Sequence, residues 1–506
     1  MALHPLLLPE IVQHVAIFLS RFEMTTCMMV CRTWHLILVP VAWRDFSWYS
    51  CVYRKRNPNE AQILNNARHI QTLTFHVLQV IQLCRETLVG VGLVKMDGRS
   101  GQIFNHTSSE VIAFWDLIAV CPRLTSLSLQ DAISSSQPNS SDLFIKLCQQ
   151  LTTLHLGILR PGTLPPTSGY PSSGFPRMRD LSVHTTIPEI NLVFIAHLFP
   201  RCAQATRLRW MAGYHRGHDR EYANAIRAAL EPLVLDQQEE LIFDMDATVA
   251  RLLPKMPRLR SLSLDGRTYG YECHTALVLA PTTRTSQIVE LDLSGCFLAS
   301  SRMIQEILTT CTELVAFKGP LLGAYSMVEE ASKHPSPVPA HLLLEPWVCR
   351  KLERFKISMD DLGYTDKHLA SPGAASQIFY SQLARLTRLR WVKLCENLEE
   401  MTTAYFFRMS RAAGLEQLAG WTRVQELDIR GLGWLLEVED VRWMVETWPE
   451  LEKVYAGRYR GKEEEEEKLK EIEEYLDELL RERRRRVVFV AKHTVADMIA
   501  SALDLE

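Results

Sequence analysis

The sequence predicts an α/β protein, a stack of strand-and-helix repeats behind a small bundle of three helices. Three observations predict it. A strand-like pattern, L-x-x-L-x-L, recurs along most of the chain, and several copies stand 27 residues apart. Between the copies lie segments with apolar residues at helical spacing. The stretch Leu6–Trp43 has helical periodicity only.

In that first stretch Pro9 suits the first turn of a helix, where its missing N–H is not needed. Ile11, Val15, Phe18 and Leu19 then form one apolar stripe. A polar break at Ser20–Glu23 precedes a second stripe of Cys27, Val30, Cys31 and Trp34. Leu36–Val39 and Pro40 close a third helix that ends at Trp43. About forty residues are too few to bury an ordinary core alone, so this unit should need a partner surface. That is the property of a docking module.

The residues Leu8-Pro9-Glu10-Ile11, then Val15 and Leu19, then Val30-Cys31-Arg32-x-Trp34, then Trp43-Arg44 resemble an F-box over residues 1–46. One departure is that Pro9 directly precedes Glu10, where the family usually has one residue between them. The resemblance implies docking onto the Skp1 adaptor of a cullin–RING ubiquitin ligase. It implies that Leu8, Pro9, Ile11, Val15, Leu19 and Trp34 carry or shape that contact.

Residues 47–60, polar and aromatic with Asn57-Pro58, read as a linker. The repeats follow over residues 61–457. Copies begin at Ile70, Leu124, Leu151, Met178, Leu259, Ile288, Leu314, Leu352, Leu389, Val424 and Leu451, with weaker ones near Ala205 and Gln238. A period near 27 with this consensus is the leucine-rich-repeat signature. Its L-x-L alternation is a half-buried strand. Val111–Val120, Asp142–Leu147, Leu192–Phe199, Arg302–Leu308 and Val438–Thr447 are the expected outer helices. Each repeat buries its strand and helix only by stacking on a neighbour, so the expected body is a solenoid, a horseshoe. Pro161–Pro176 and His334–Pro339 read as exposed loops, and insertions fit at Leu321–Leu344 and Met359–Ser376. Residues 458–506 form a tail. In it Lys462–Arg486 is nearly all helix formers, with Glu at one end and Arg at the other, matching the helix dipole. Val487–Val490 looks like a short strand.

The bulk numbers exclude several classes. Across 506 residues the net charge is −3, which supplies no basic excess for a nucleic-acid partner. No apolar run reaches the ~18 residues of a membrane span, and the N-terminus lacks the positive region of a secretory signal. A cytoplasmic or nuclear location follows as an expectation, with reduced thiols. Cys121, Cys148, Cys311 and Cys349 each stand three residues before a leucine. Cysteine at one phase of a repeat reads as a small buried hydrophobe. Cys27 and Cys31, one helical turn apart, read as core residues beside Val30.

No metalloprotease, phosphate-loop, nucleophile-elbow or paired C-x-x-C spacing occurs. His215-x-x-His218-Asp219 has no further ligand at metal spacing. The reading is therefore a non-enzyme without metal or cofactor. Alternation in the strands places Asp265, Glu290 and Asp292, then Lys318, Arg354, Lys356, Trp391 and Lys393, then Glu426, Asp428 and Arg430 on the concave face. Lys318, Arg354, Lys356, Trp391, Lys393, Asp265 and Asp292 are the candidate target-binding residues. Trp391 among cations resembles a hot spot suited to an acidic or phosphorylated peptide. The whole reads as the substrate-recognition subunit of an SCF (Skp1–cullin–F-box) ligase. The alternative is a leucine-rich-repeat scaffold for protein–protein interaction whose first helices only cap the solenoid.

Overall fold

The structure is a computed structural model. It describes residues 9–19, 21–47, 60–75, 81, 84–93, 115–131, 138–159, 174–185, 198–202, 204–212, 237, 239–243, 246–264, 269–279, 287–296, 299–323, 345–360, 372–394, 409–429, 436–457, 470–472, 474–476, 478 and 488–492. The chain divides into two compact units, Met1–Gln238 and Glu239–Glu506.

The first unit opens with α1 (Pro9–Ala16), α2 (Arg21–Met28) and α3 (Arg32–Arg44). Val12, Ala16, Met24 and Leu38 form their core, and Leu19, Cys27, Met28, Trp34, Ile37 and Val41 pack around it. Cys31 is not a core residue of one helix shared with Cys27. It is the N-cap of α3, and its Sγ accepts the Trp34 N–H at 3.5 Å. α3 contains Pro40, starts earlier than the expected third helix and ends one residue past Trp43. The helix runs directly into β1 (Asp45–Ser47), so pairing into the sheet begins before the segment read as a linker ends. The Arg44 carbonyl accepts the Gln71 N–H at 2.9 Å, and β1 pairs in parallel with β2 (Thr72–Phe75).

Strands β3 (Gly90–Leu93), β4 (Ser126–Asp131), β5 (Thr153–Leu159), β6 (Asp180–Thr185) and β7 (Arg207–Ala212) follow, each parallel to the one before it. α4 (Glu60–Asn66) precedes β2, and α5 (Pro138–Gln150) precedes β5. Parallel strands need crossover connections, and these helices supply two of them.

The second unit repeats the plan. Its strands are β8 (Glu240–Phe243), β9 (Ser261–Leu264), β10 (Glu290–Asp292), β11 (Ala316–Gly323), β12 (Arg354–Asp360), β13 (Trp391–Leu394), β14 (Glu426–Ile429), β15 (Lys453–Gly457) and β16 (Val488–Lys492). All pair in parallel with their sequence neighbours. Helices α6 (Asp246–Leu252), α7 (Ser301–Thr310), α8 (Pro372–Leu383) and α9 (Val438–Thr447) lie between them. The structure is thus α/β, with parallel sheets and a helical N-terminus.

The sequence pattern explains this order. Each strand at an expected copy starts two residues after the copy's first apolar residue, as Leu124 leads to Ser126 and Leu389 to Trp391. Side chains then alternate between core and surface, as in Ser261–Leu264. One backbone device recurs where strands begin. The Val89 carbonyl takes the N–H groups of both Thr125 and Ser126, at 2.8 and 3.0 Å. The Thr125 carbonyl does the same for Thr152 and Thr153. In the second unit Val315 holds Glu353 and Arg354, and Arg390 holds Gln425 and Glu426.

Cys121, Cys148, Cys311 and Cys349 are fully buried, as a small apolar residue at that phase should be. Burial pushes the Cys311 and Cys349 thiols up to about 12, far from the reactive thiolate range. Among the described residues no cysteine is joined in a disulfide. α7 is fixed by Ser300, whose Oγ accepts the Met303 N–H at 3.3 Å, and by buried Ile304, Ile307 and Leu308. Asp440 in α9 accepts the N–H groups of Arg411 at 2.9 Å and Glu437 at 3.2 Å. Three buried indoles find an acceptor. Trp347 donates to Gln305 Oε1, Trp421 to the Leu383 carbonyl and Trp448 to the Leu418 carbonyl. Among the described residues, no helix is long and apolar enough to cross a membrane.

Candidate functional site

Two surfaces stand out, one in each unit. The first is built by α1 to α3. Positions 11/12, 15/16 and 18/19 are all apolar pairs, so α1 carries two adjacent apolar lines. Val12, Ala16 and Leu19 point at the module's own core. The line one residue earlier does not. Ile11 and Val15 are each 37% exposed, and Phe18 is 76% exposed. Ile17, Met29, Val30 and Leu36 are also largely exposed. Thus Ile11, Val15 and Phe18 line an outer surface while Leu19 turns to the core, so the single stripe that spacing suggests is split. Val30 likewise faces outward. Pro9 is exposed as well, whereas Leu19 and Trp34 are half-buried against the module's core. Leu8 lies outside the described residues. Large apolar side chains left in water at this density are unusual for an ordinary protein surface.

The second surface is one face of the sheet in the second unit. Register sets its residues in two rows. One reads Ser261, Glu290, Ala316, Arg354, Trp391, Glu426, Lys453 across β9 to β15. The other reads Ser263, Asp292, Lys318, Lys356, Lys393, Asp428, Tyr455. Five of the candidate residues, Lys318, Arg354, Lys356, Trp391 and Lys393, therefore lie on three neighbouring strands. Asp292 lies one strand away, and Asp265 is outside the described residues, as is Arg430.

The cations are paired across strands. Lys318 Nζ sits 2.8 Å from Asp292, Arg354 2.5 Å from Glu290, Lys393 3.2 Å from Asp428, and Lys453 2.6 Å from Glu426. Burial works to raise the Asp292 carboxyl. Hydrogen bonds from Lys318 and from the Ser294 hydroxyl and N–H outweigh it and hold that carboxyl below its ordinary value. A depressed native pKa stabilises the fold above the unfolded carboxylate value of about 4, and that support is lost as the pH falls through the native value. The melting-temperature gap between wild type and Asp292→Asn should therefore be constant above about pH 5 and narrow below about pH 4.

Strand alternation alone found most of this face, but some exposed strand residues in each unit were missed. Lys453 and Tyr455 on β15 extend it in the second unit. In the first unit Asp180 on β6 lies 3.8 Å from His155 and 3.6 Å from Arg207. The neighbouring His155 ring, with Arg207 and Arg209, holds the Asp180 carboxyl below its usual range against the effect of burial. Arg207 and Arg209 are exposed there, and their alternation in the ATRLRW copy was the available signal.

The chain matches no family model, and no curated protein matches it.

Two further clusters have chemistry-bearing side chains. His274, 2% exposed, joins Tyr269 Oη at 2.8 Å through Nδ1 and Glu306 at 2.5 Å through Nε2; Glu306 also meets Arg302. This chain ties the turn Tyr271–His274 to α7. A groove between α9 and residues 471–478 is lined by Glu437, Glu439, Glu471, Glu474 and Glu478, with Arg442 over the Tyr475 ring. Among the described residues, no group of three or more histidine, cysteine, aspartate or glutamate side chains is placed to hold a metal ion. His215 and His218 lie outside the described residues.

Proposed function

We propose that this protein is the substrate-recognition subunit of an SCF-type ubiquitin ligase. In this reading α1 to α3 are an F-box that docks on a Skp1-like adaptor. The repeats are leucine-rich repeats arranged as a solenoid in each unit, and their exposed strand face holds a target protein. The parallel order of the strands, their two-residue offset from each leucine copy and the recurring carbonyl clamp support the repeat assignment. The protein itself performs no bond chemistry, because ubiquitin transfer belongs to other subunits.

The observation that carries the adaptor reading is the apolar outer line Ile11, Val15 and Phe18, left open beside a complete small core. A second reading has one observation in its favour. α3 leads directly into β1 and pairs on β2, as the cap of a repeat array would. A cap, however, presents a polar outer face to keep the array soluble, and this one presents Phe18, Met29 and Val30.

The test is gel filtration of the purified full chain mixed with purified Skp1. Co-elution with a Kd below about 1 µM is expected, about −8 kcal/mol. If the two proteins elute separately at concentrations well above that value, the ligase reading is overturned and the capped scaffold stands.

A further inference from the structure

The paired charges on the second unit's sheet are not equally placed. Lys318 is 52% exposed where its partner Asp292 is 26% exposed, and Lys393 is 22% exposed over an Asp428 at 5%. Arg354 likewise stands further into solvent than Glu290, and Lys453 further than Glu426. Asp292, Asp428 and Glu426 lie beneath their cations while Glu290 stands nearly as exposed as Arg354, so over β11 to β13 a partner meets mostly positive charge first.

That positive layer has limits. On β11 to β13 the two rows offer Lys318, Lys356, Lys393 and Arg354, with half-buried Trp391 beside them. On either side stand acids, Glu290 and Asp292 on β10 and Glu426 and Asp428 on β14. Neighbouring strands lie about 4.8 Å apart, so the three in-register lysines span roughly 10 Å. Alternate side chains on an extended peptide recur every 6.6–7 Å or so. Two alternating carboxylates, about 7 Å apart, fall within the lysine span, and three, over about 13–14 Å, reach just past it. A longer acidic run would meet the acids on β10 or β14.

We propose that the face of β11 to β13 binds a short acidic segment of the target, two or three carboxylate side chains bracketed by basic residues, with an apolar side chain against Trp391. This rests on the reading of the protein as a target receptor and states the chemistry that receptor selects. The outer lysines set the sign, the flanking acids set the length and reject a uniformly acidic chain, and Trp391 supplies the apolar anchor.

The experiment uses the full chain and two fluorescent synthetic peptides, read by anisotropy. One has three glutamates alternating with leucines between pairs of lysines. The other has every charge inverted. The first should bind at least tenfold more tightly than the second. Lys318→Glu combined with Lys356→Glu should weaken the first peptide at least tenfold and strengthen the second, a gain that an unfolded protein does not produce. Lys356→Arg should keep the original preference. Equal affinity for both peptides, binding of neither, or an unchanged preference in the double variant overturns the proposal. Skp1 capture is measured on the same samples. Peptide binding without Skp1 capture sinks the ligase reading and leaves this surface standing; Skp1 capture without peptide selectivity sinks this proposal alone.

Discussion

Val15→Asp combined with Phe18→Asp is expected to weaken Skp1 capture by the full chain at least 100-fold, about 2.7 kcal/mol. Val15 on α1 and Phe18 in the turn just after it lie on one outer line, and neither belongs to the core of Val12, Ala16, Met24 and Leu38. A carboxylate set into an apolar interface must be desolvated without a partner, and that cost falls on the complex rather than on the free protein. The melting temperature of the free chain should therefore stay within a few degrees of wild type, as for surface substitutions generally. Val12→Asp is the contrasting variant. It buries the same charge in the module's own core and should unfold these helices with or without adaptor. If the double variant still captures Skp1 with wild-type affinity, the outer line of α1 is not the docking surface.

Trp421→Ala is expected to cost about 3–5 kcal/mol of stability in urea unfolding. Its ring is fully buried, lies 5.6 Å from the Trp448 ring, and donates to the Leu383 carbonyl at 3.0 Å. Truncation leaves a cavity beside Trp448 and removes the donor from a buried carbonyl, two losses in one place. Repeats interact mainly with their neighbours, so the loss should be concentrated around β13 to β15. Amide exchange there should speed up more than in α7 or β10. Trp391→Ala is the internal comparison. It removes an indole from the exposed face, and a change within about 1 kcal/mol is expected. A Trp421→Ala cost below about 1 kcal/mol would mean that the indole pair does not organise this part of the core.

The strands were legible because each copy carries leucines at fixed phase, and because side-chain alternation in a strand is strict. Two strands escaped for identifiable reasons. β3 contains Gly90 and Gly92, which lower strand propensity and hide the Leu88, Val91 and Leu93 positions. β1 holds only Asp45, Phe46 and Ser47, directly behind a helix containing Pro40. The helical module was legible as three helices, but its inside and outside were not. Neighbouring apolar residues at 11 and 12, 15 and 16, and 18 and 19 give two lines one residue apart, and spacing cannot choose between them. Packing chose the second. On the sheet face, alternation located the cations, yet their partners come from strands 26 to 64 residues away in sequence, beyond local reading.

The clamp that begins most strands uses one carbonyl and two main-chain amides, joined at Thr125, Thr152 and Thr206 by the threonine hydroxyl. Almost any non-proline residue can occupy those positions without disturbing the pairing. Evolution can then rewrite the visible letters quickly while the main-chain geometry stays put. Homologues of this molecule should accordingly be easier to find by superposing backbones than by aligning residues, and their shared ancestry should outlast their identity.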